Sequence, residues 1–180
     1  PHVMTHTLPV ELHPMGLAWD EANGRLWVAN GNKDSVTLID TRAARVVKTV
    51  ALRPFSVAVA GIAPTAVALS PAGDRVYVAC GGINAVAVLK APTGEAEGWI
   101  PTAWYPNALA VSPSGKQLAI GALLGMGSGW NEAPAKRGVQ HVRGTAHVVE
   151  LPDAAQLASF TTVVAENNPL RPFGEAAAPA

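Results

Sequence analysis

The chain has 180 residues, 49% of them apolar and 14% charged, a balance that suits a globular domain and not a disordered segment. Thirteen basic and thirteen acidic side chains cancel, and no basic run is longer than Lys136-Arg137, so the footprint that tracks phosphates is missing and nucleic acid is excluded as a partner class. The apolar stretches are broken by Gly61, Pro64 and Thr65 well short of the roughly 20 residues a spanning helix needs, so no membrane span is expected.

A line that begins Pro14-Met-Gly-Leu-Ala-Trp-Asp returns as Pro64-Thr-Ala-Val-Ala-Leu-Ser and as Pro106-Asn-Ala-Leu-Ala-Val-Ser, at offsets of 50 and 42 residues. Self-similarity at about 40 to 50 residues with strand-like content predicts the blades of a β-propeller. In chain order, residues 1–12 come first, as the outermost strand of a preceding blade and its connection. Leu8-Pro-Val-Glu-Leu-His-Pro14 overlays Ile100-Pro-Thr-Ala-Trp-Tyr-Pro106, which makes residues 3–8 an orphan strand. Blade 1 follows over residues 13–52, with strands at 16–20, 25–30, 35–40 and 45–52. Asn23-Gly24 supplies the positive φ of a tight hairpin, and Leu26 with Val28, or Val36 with Leu38, alternate at the strand period of two.

Blade 2, residues 53–104, repeats these elements after an extended lead-in loop at 53–62, with Pro71-Ala-Gly-Asp74 as its first turn and Cys80 as a small buried hydrophobe ending a strand. Blade 3, residues 105–166, keeps the spacing through residue 122. It then takes an inserted loop at 123–144, rich in Gly and polar residues, before strands at 145–150 and 159–166. Residues 167–180 read as a Pro- and Ala-rich linker. The expected fold is therefore all-β: a partial β-propeller of three four-stranded antiparallel blades plus one orphan N-terminal strand. A closed ring typically takes four to eight blades, so this one is expected to be a portion of a longer protein or to be completed by partners.

The stretches Arg25-Leu-Trp-Val-Ala-Asn30 and Arg75-Val-Tyr-Val-Ala-Cys80 resemble the YVTN-type propeller repeat, with a degenerate third copy at Gln117-Leu-Ala-Ile-Gly-Ala122. Cys80 stands where the repeat has Asn, so a hairpin-capping amide is expected only at Asn30. Together with Gly82-Ile-Asn-Ala-Val-Ala-Val88 and Val164-Ala-Glu-Asn-Asn-Pro169, the chain is similar to the propeller half of bacterial proteins that join such a propeller to a C-terminal phosphoesterase of the alkaline phosphatase superfamily. The resemblance implies a metal-dependent hydrolase beyond Ala180 and export to the periplasm or outside the cell. It places no catalytic residue, metal ligand or cofactor on this chain.

The residues themselves agree with a non-catalytic reading. The five histidines show no His-x-x-x-His or His-Glu-x-x-His spacing, and His141 and His147 straddle a loop-to-strand boundary. Ser70, Ser112 and Ser114 occupy turns where hydroxyls bond nearby backbone, no Gly-x-Ser-x-Gly elbow surrounds them, and the glycines of 121–129 lack the ending of a phosphate loop. The candidate binding residues are His13, Phe55, Trp104 and Tyr105 on the lead-in loops and Trp130 on the insert, since loops on a rigid scaffold concentrate function. Trp104 reads first as a wedge between blades, and Tyr105 reads equally as wedge or binding side chain.

The leading expectation is a scaffold or binding module that positions the downstream hydrolase, with the remaining blades and that domain as partners and room for a protein or small-molecule ligand. The alternatives are a stand-alone exported interaction propeller of the surface-layer type and, more remotely, a lactonase-like propeller hydrolase.

Overall fold

The computed structural model describes residues 3–55, 61–125 and 143–168. It is an all-β partial propeller, with antiparallel sheets in the order in which the chain visits them. Blade 1 is β1 (Pro14–Asp20), β2 (Arg25–Asn30), β3 (Ser35–Asp40) and β4 (Arg45–Ala51). Blade 2 is β5 (Pro64–Leu69), β6 (Arg75–Cys80), β7 (Ala85–Lys90) and β8 (Ala96–Pro101). Blade 3 holds β9 (Trp104–Val111), β10 (Gln117–Gly125) and β11 (Thr145–Glu150), with β10 in the middle. The register of the meander follows from its turns. Gly24, Gly73 and Gly115 sit at φ of 62°, 69° and 68° at the repeated first hairpin, a conformation that glycine adopts without strain.

The blades stack head to tail. Trp27, Ala29, Val36 and Leu38 of blade 1 form one core with Val67, Val76, Val78, Ala87 and Leu89 of blade 2. Tyr77, Val86 and Val88 on the other side of blade 2 form a second core with Leu118 and Ile120 of blade 3. Period-two alternation explains this: successive side chains leave opposite faces, so blade 2 has both faces covered. Burial of each large aliphatic or aromatic side chain contributes about 1.5–3 kcal/mol, which makes these two interfaces the main source of stability. The first strands approach closely. A Cβ on Gly16 would lie 2.6 Å from Ala66 Cα and 2.8 Å from Thr65 O, and Thr65 Oγ1 donates to the Pro106 carbonyl at 2.7 Å, tying blade 2 to blade 3.

Two local expectations are corrected. The segment expected as the last strand of blade 3, residues 159–166, lies inside a helix, α1 (Ala154–Asn167). Asp153 Oδ1 accepts from Gln156 N at 2.8 Å while Gln156 Oε1 accepts from Asp153 N at 3.0 Å, a reciprocal capping box that satisfies two free amides at the helix start. The apolar residues then fall at helical spacing: Leu157 and Phe160 join the core between blades 2 and 3, and Val164 joins the core between blades 1 and 2. The helix lies along β8, where Trp99 N donates to Thr161 Oγ1 at 2.9 Å and Gly98 leaves the space that Leu157 fills. An edge strand is thus blunted by a helix.

The second correction concerns residues 3–8, expected as an orphan strand. They join no sheet among the described residues. The segment instead crosses the open face of blade 1, where Thr5, His6 and Leu8 line a cavity of about 480 Å³ with Leu17, Trp19 and Val28. A strand gains its backbone hydrogen bonds only from a neighbour, and among the described residues no strand lies beside it. The insert also starts later than expected: residues 123–125 extend β10, and 126–142 lie outside the described residues. Of the expected linker, Asn167 ends the helix, and the Asn168 amide donates to the Val164 and Ile83 carbonyls at 2.9 and 3.0 Å.

Candidate binding face at the lead-in loops

Each blade is entered through a residue in the left-handed region that only glycine, Asn or Asp adopts readily. These are His13, Ala63 and Tyr105, at φ of 62°, 51° and 58°. Ala63 and Tyr105 are held there by a side chain from the blade before. Asp34, at the end of the β2–β3 turn, accepts from Ala63 N through Oδ1 at 2.9 Å and from Gly61 N through Oδ2 at 2.8 Å. Asn84, its equivalent 50 residues on, accepts from Tyr105 N at 2.9 Å. Asp34 and Asn84 are themselves left-handed, at 48° and 53°. Backbone pairs complete the lock, with Gly31 N donating to His13 O at 2.8 Å and Gly81 N to Ala63 O at 2.9 Å.

This repeated clasp was not among the expected site residues. Its sequence signal is the recurrence of Asp34 and Asn84 at the repeat offset, immediately before β3 and β7. Asp34→Ala removes the acceptor for two amides and is expected to cost about 1–3 kcal/mol, with Asp34→Asn retaining most of the stability through its Oδ1. Urea denaturation of the two variants checks this.

The expected residues fall in different settings. His13 is exposed, and its Nδ1 pairs with Asn32 Oδ1 at 3.1 Å. Tyr105 is half-buried with its ring over blade 2, since a Cβ on Gly81 would stand 3.0 Å from Tyr105 Cζ. Trp104 is 45% exposed, whereas its equivalent Ile62 is fully buried. Phe55 is half-buried against the core of blades 1 and 2. Trp130 lies outside the described residues. The structure joins Tyr105 to Asn84 and Gly81, and His13 to Asn32 and Gly31, as separate pairs.

Other polar groups serve the backbone. Ser70 Oγ accepts from Arg75 N at 2.9 Å and Ser112 Oγ from Gln117 N at 3.0 Å, the turn role expected of them. Ser70 also donates to Asp74 Oδ1 at 2.6 Å and holds that carboxyl below its ordinary range. Burial pushes the Cys80 thiol up, which keeps it protonated and unreactive. His147 pairs with Thr145 Oγ1 at 2.7 Å, while His141 lies outside the described residues.

A second feature that sequence reading passed over is a buried polar row in blade 1. Asn30 Nδ2 donates to Ser35 Oγ at 3.1 Å and Thr37 Oγ1 at 2.9 Å, Thr37 pairs with Thr49 at 3.1 Å, and Ser35 Oγ donates to Glu11. The amide thus bridges β2 and β3, the hairpin role expected of Asn30. In blade 2 the same four positions are Cys80, Ala85, Ala87 and Trp99, and the row is apolar.

The comparisons bear on the fold. No protein-family model matches the chain, and no curated protein matches it. Among solved structures it is similar to hydrazine synthase from Kuenenia stuttgartiensis, at 21% identity and a TM-score of 0.61, over 87% of this chain and 37% of that one. It is also similar to two 6-phosphogluconolactonase-like proteins. The one from Bacteroides fragilis is 17% identical with a TM-score of 0.54, over 77% of this chain and 39% of that one. The one from Bacteroides uniformis is 17% identical with a TM-score of 0.52, over 62% and 34%. At such identities the likeness establishes a β-propeller-like fold. The chain spans little more than a third of the length of these structures.

Proposed function

We propose that this chain is a non-catalytic β-propeller scaffold or binding module, part of a larger ring, that positions an attached phosphoesterase domain. The observation that carries the incomplete ring is a contrast between equivalent positions. Val67 of blade 2 is 8% exposed beneath blade 1, while Leu17, at the same position of blade 1, is 64% exposed. At the other end Val148 of blade 3 is 67% exposed, against 3% for its equivalent Val88. Apolar faces of this kind mark surfaces made to be covered.

The scaffold role is supported by the lead-in face, where Asp34 and Asn84 spend their acceptors on backbone amides. Attachment to a phosphoesterase and an extracytoplasmic location rest on the sequence resemblance. The test is an assay of the purified chain on phosphate mono- and diesters and on sugar lactones, alone and fused to the domain that its gene encodes downstream. The expected result is turnover of the phosphate esters by the fusion alone. Lactone or phosphate ester hydrolysis by residues 1–180 would overturn the non-catalytic reading, and a downstream sequence without a hydrolase would overturn the positioning role.

A further inference from the structure

We infer that Asn23 is a site of spontaneous deamidation, that Asp20 sets its rate, and that the conversion loosens the contact between the first hairpins of blades 1 and 2. The chain has two Asn-Gly pairs, Asn23-Gly24 and Asn30-Gly31. Both carry the chemistry, because a glycine after asparagine leaves its nitrogen unobstructed and its backbone free to turn toward the side chain. The fold treats the two pairs differently.

Asn30 is fully buried, its Nδ2 donates to Ser35 Oγ at 3.1 Å and Thr37 Oγ1 at 2.9 Å, and Gly31 N donates to His13 O at 2.8 Å. Side chain and nitrogen are both held, and burial keeps water from them. Asn23 stands exposed in the β1–β2 turn, and Gly24 N donates to Glu21 O at 3.2 Å, the long end of the range for such a bond. The Arg42 side chain lies against Gly24 with its Nη2 donating to Ala22 O at 3.0 Å, so a cation adjoins the nitrogen that must lose its proton. What restrains Asn23 is the Asp20 carboxylate. Asn23 Nδ2 donates to Asp20 Oδ1 at 3.2 Å and Oδ2 at 2.9 Å, and Asn23 N donates to Oδ1 at 3.1 Å. Local opening of this turn frees the carboxamide without unfolding a blade.

In the reaction the Gly24 nitrogen gives its proton to water and attacks Asn23 Cγ. A C–N bond closes a succinimide ring, the Cγ–Nδ2 bond breaks, and the departing nitrogen takes up a proton and leaves as ammonia. Water then opens the ring at either carbonyl to give aspartate or isoaspartate. The product puts a carboxylate where a donor stood. Asp20 is 6% exposed, and a Cβ on Gly73 of blade 2 would lie 3.2 Å from Asn23 Nδ2 and 3.8 Å from Asp20 Oδ2, so the pair sits at the seam between blades. Two carboxylates there repel each other, and the isoaspartate form adds a methylene to the main chain between the paired residues Asp20 and Arg25.

The test is incubation of the full chain at mildly alkaline pH, followed by tryptic digestion and mass spectrometry. Cleavage after Arg25 and Lys33 places the two asparagines in different peptides. The expected result is steady conversion of Asn23 to separable aspartate and isoaspartate products while Asn30 stays intact, with both converting in concentrated urea. Asp20→Ala is expected to raise the Asn23 rate about tenfold, the factor that losing one hydrogen bond to a charged group brings, with Asn30 still intact as the sign of a folded variant. Should Asn30 convert as well, that variant has unfolded, and Asp20→Asn, which keeps an acceptor and loses the charge, is measured in its place with a smaller rise expected. Asn23→Asp is expected to lower the urea midpoint, and Asp20→Asn added to it to recover the loss, since charge and donor have then changed places. Conversion of Asn30 as fast as Asn23 in the folded chain, no conversion of Asn23 while the chain in urea converts, a rate indifferent to residue 20, or an unchanged midpoint for Asn23→Asp would overturn the proposal.

Discussion

Trp27→Ala is expected to destabilise the chain by about 3–5 kcal/mol, the range for deleting a fully buried indole, and to do so by opening the seam between blades 1 and 2. The ring is fully buried in the core those blades share. Its Nε1 has no hydrogen-bond partner among the described residues, so the indole acts there through volume and not through its polar atom. That makes Trp27→Phe the informative control. It keeps an aromatic plate, removes an unpartnered donor, and is expected to cost less than about 1.5 kcal/mol. Urea midpoints of the two variants separate the readings: near-equal losses would mean that the indole makes a specific contribution this packing does not contain.

Gly82→Ala is the second large effect. The added Cβ would fall within the van der Waals radius of the Gly61 carbonyl oxygen, and a backbone atom cannot swing aside as a side-chain end can. The turn must then retreat, and with it the bond from Gly82 N to Ile62 O at 3.0 Å and the neighbouring bond from Gly81 N to Ala63 O. The expected cost is about 1–3 kcal/mol from overpacking, with loss of amide protection at Gly81 and Gly82. Gly61→Ala tests a different constraint nearby. No described residue lies within 4 Å of that Cβ, but φ is 88°, so the expected loss of about 1 kcal/mol is conformational strain. Equal losses at the two positions would show that space is not what selects Gly82.

The strands were legible because one signal decided them twice. Period-two alternation in segments such as residues 25–30 and 75–80 agreed with turn residues at fixed offsets, and the repeat then carried each assignment from one blade to the next. The helix escaped the same method. Thr161, Thr162, Val163 and Val164 are strand-forming residues at the place where the repeat demands a strand, and they outweighed Asp153 and Gln156, whose spacing is that of a capping box. Tertiary context decided between them: Leu157, Phe160 and Val164 find apolar partners in the two cores only at helical spacing.

The lead-in face was legible in position and less so in role. His13, Ala63 and Tyr105 align in the sequence, and the structure gives them one backbone conformation despite three unlike side chains. The clasp residues Asp34 and Asn84 looked like ordinary turn formers, because a turn and an acceptor for the next blade's amide ask for the same side chains. The buried row around Asn30 was hidden for another reason. Alternation predicts that Ser35 and Thr37 share a face with Asn30, but not that they meet it across the hairpin.

Three blades stack head to tail, and among the described residues blade 2 alone is covered on both faces. Amide hydrogen exchange of the chain, followed residue by residue, tests this most directly. The slowest exchange is expected in β6 and β7, with β10 intermediate and β1 and β11 fastest among the strands. Equal protection across all three blades, or protection greatest in β1 or β11, would contradict it.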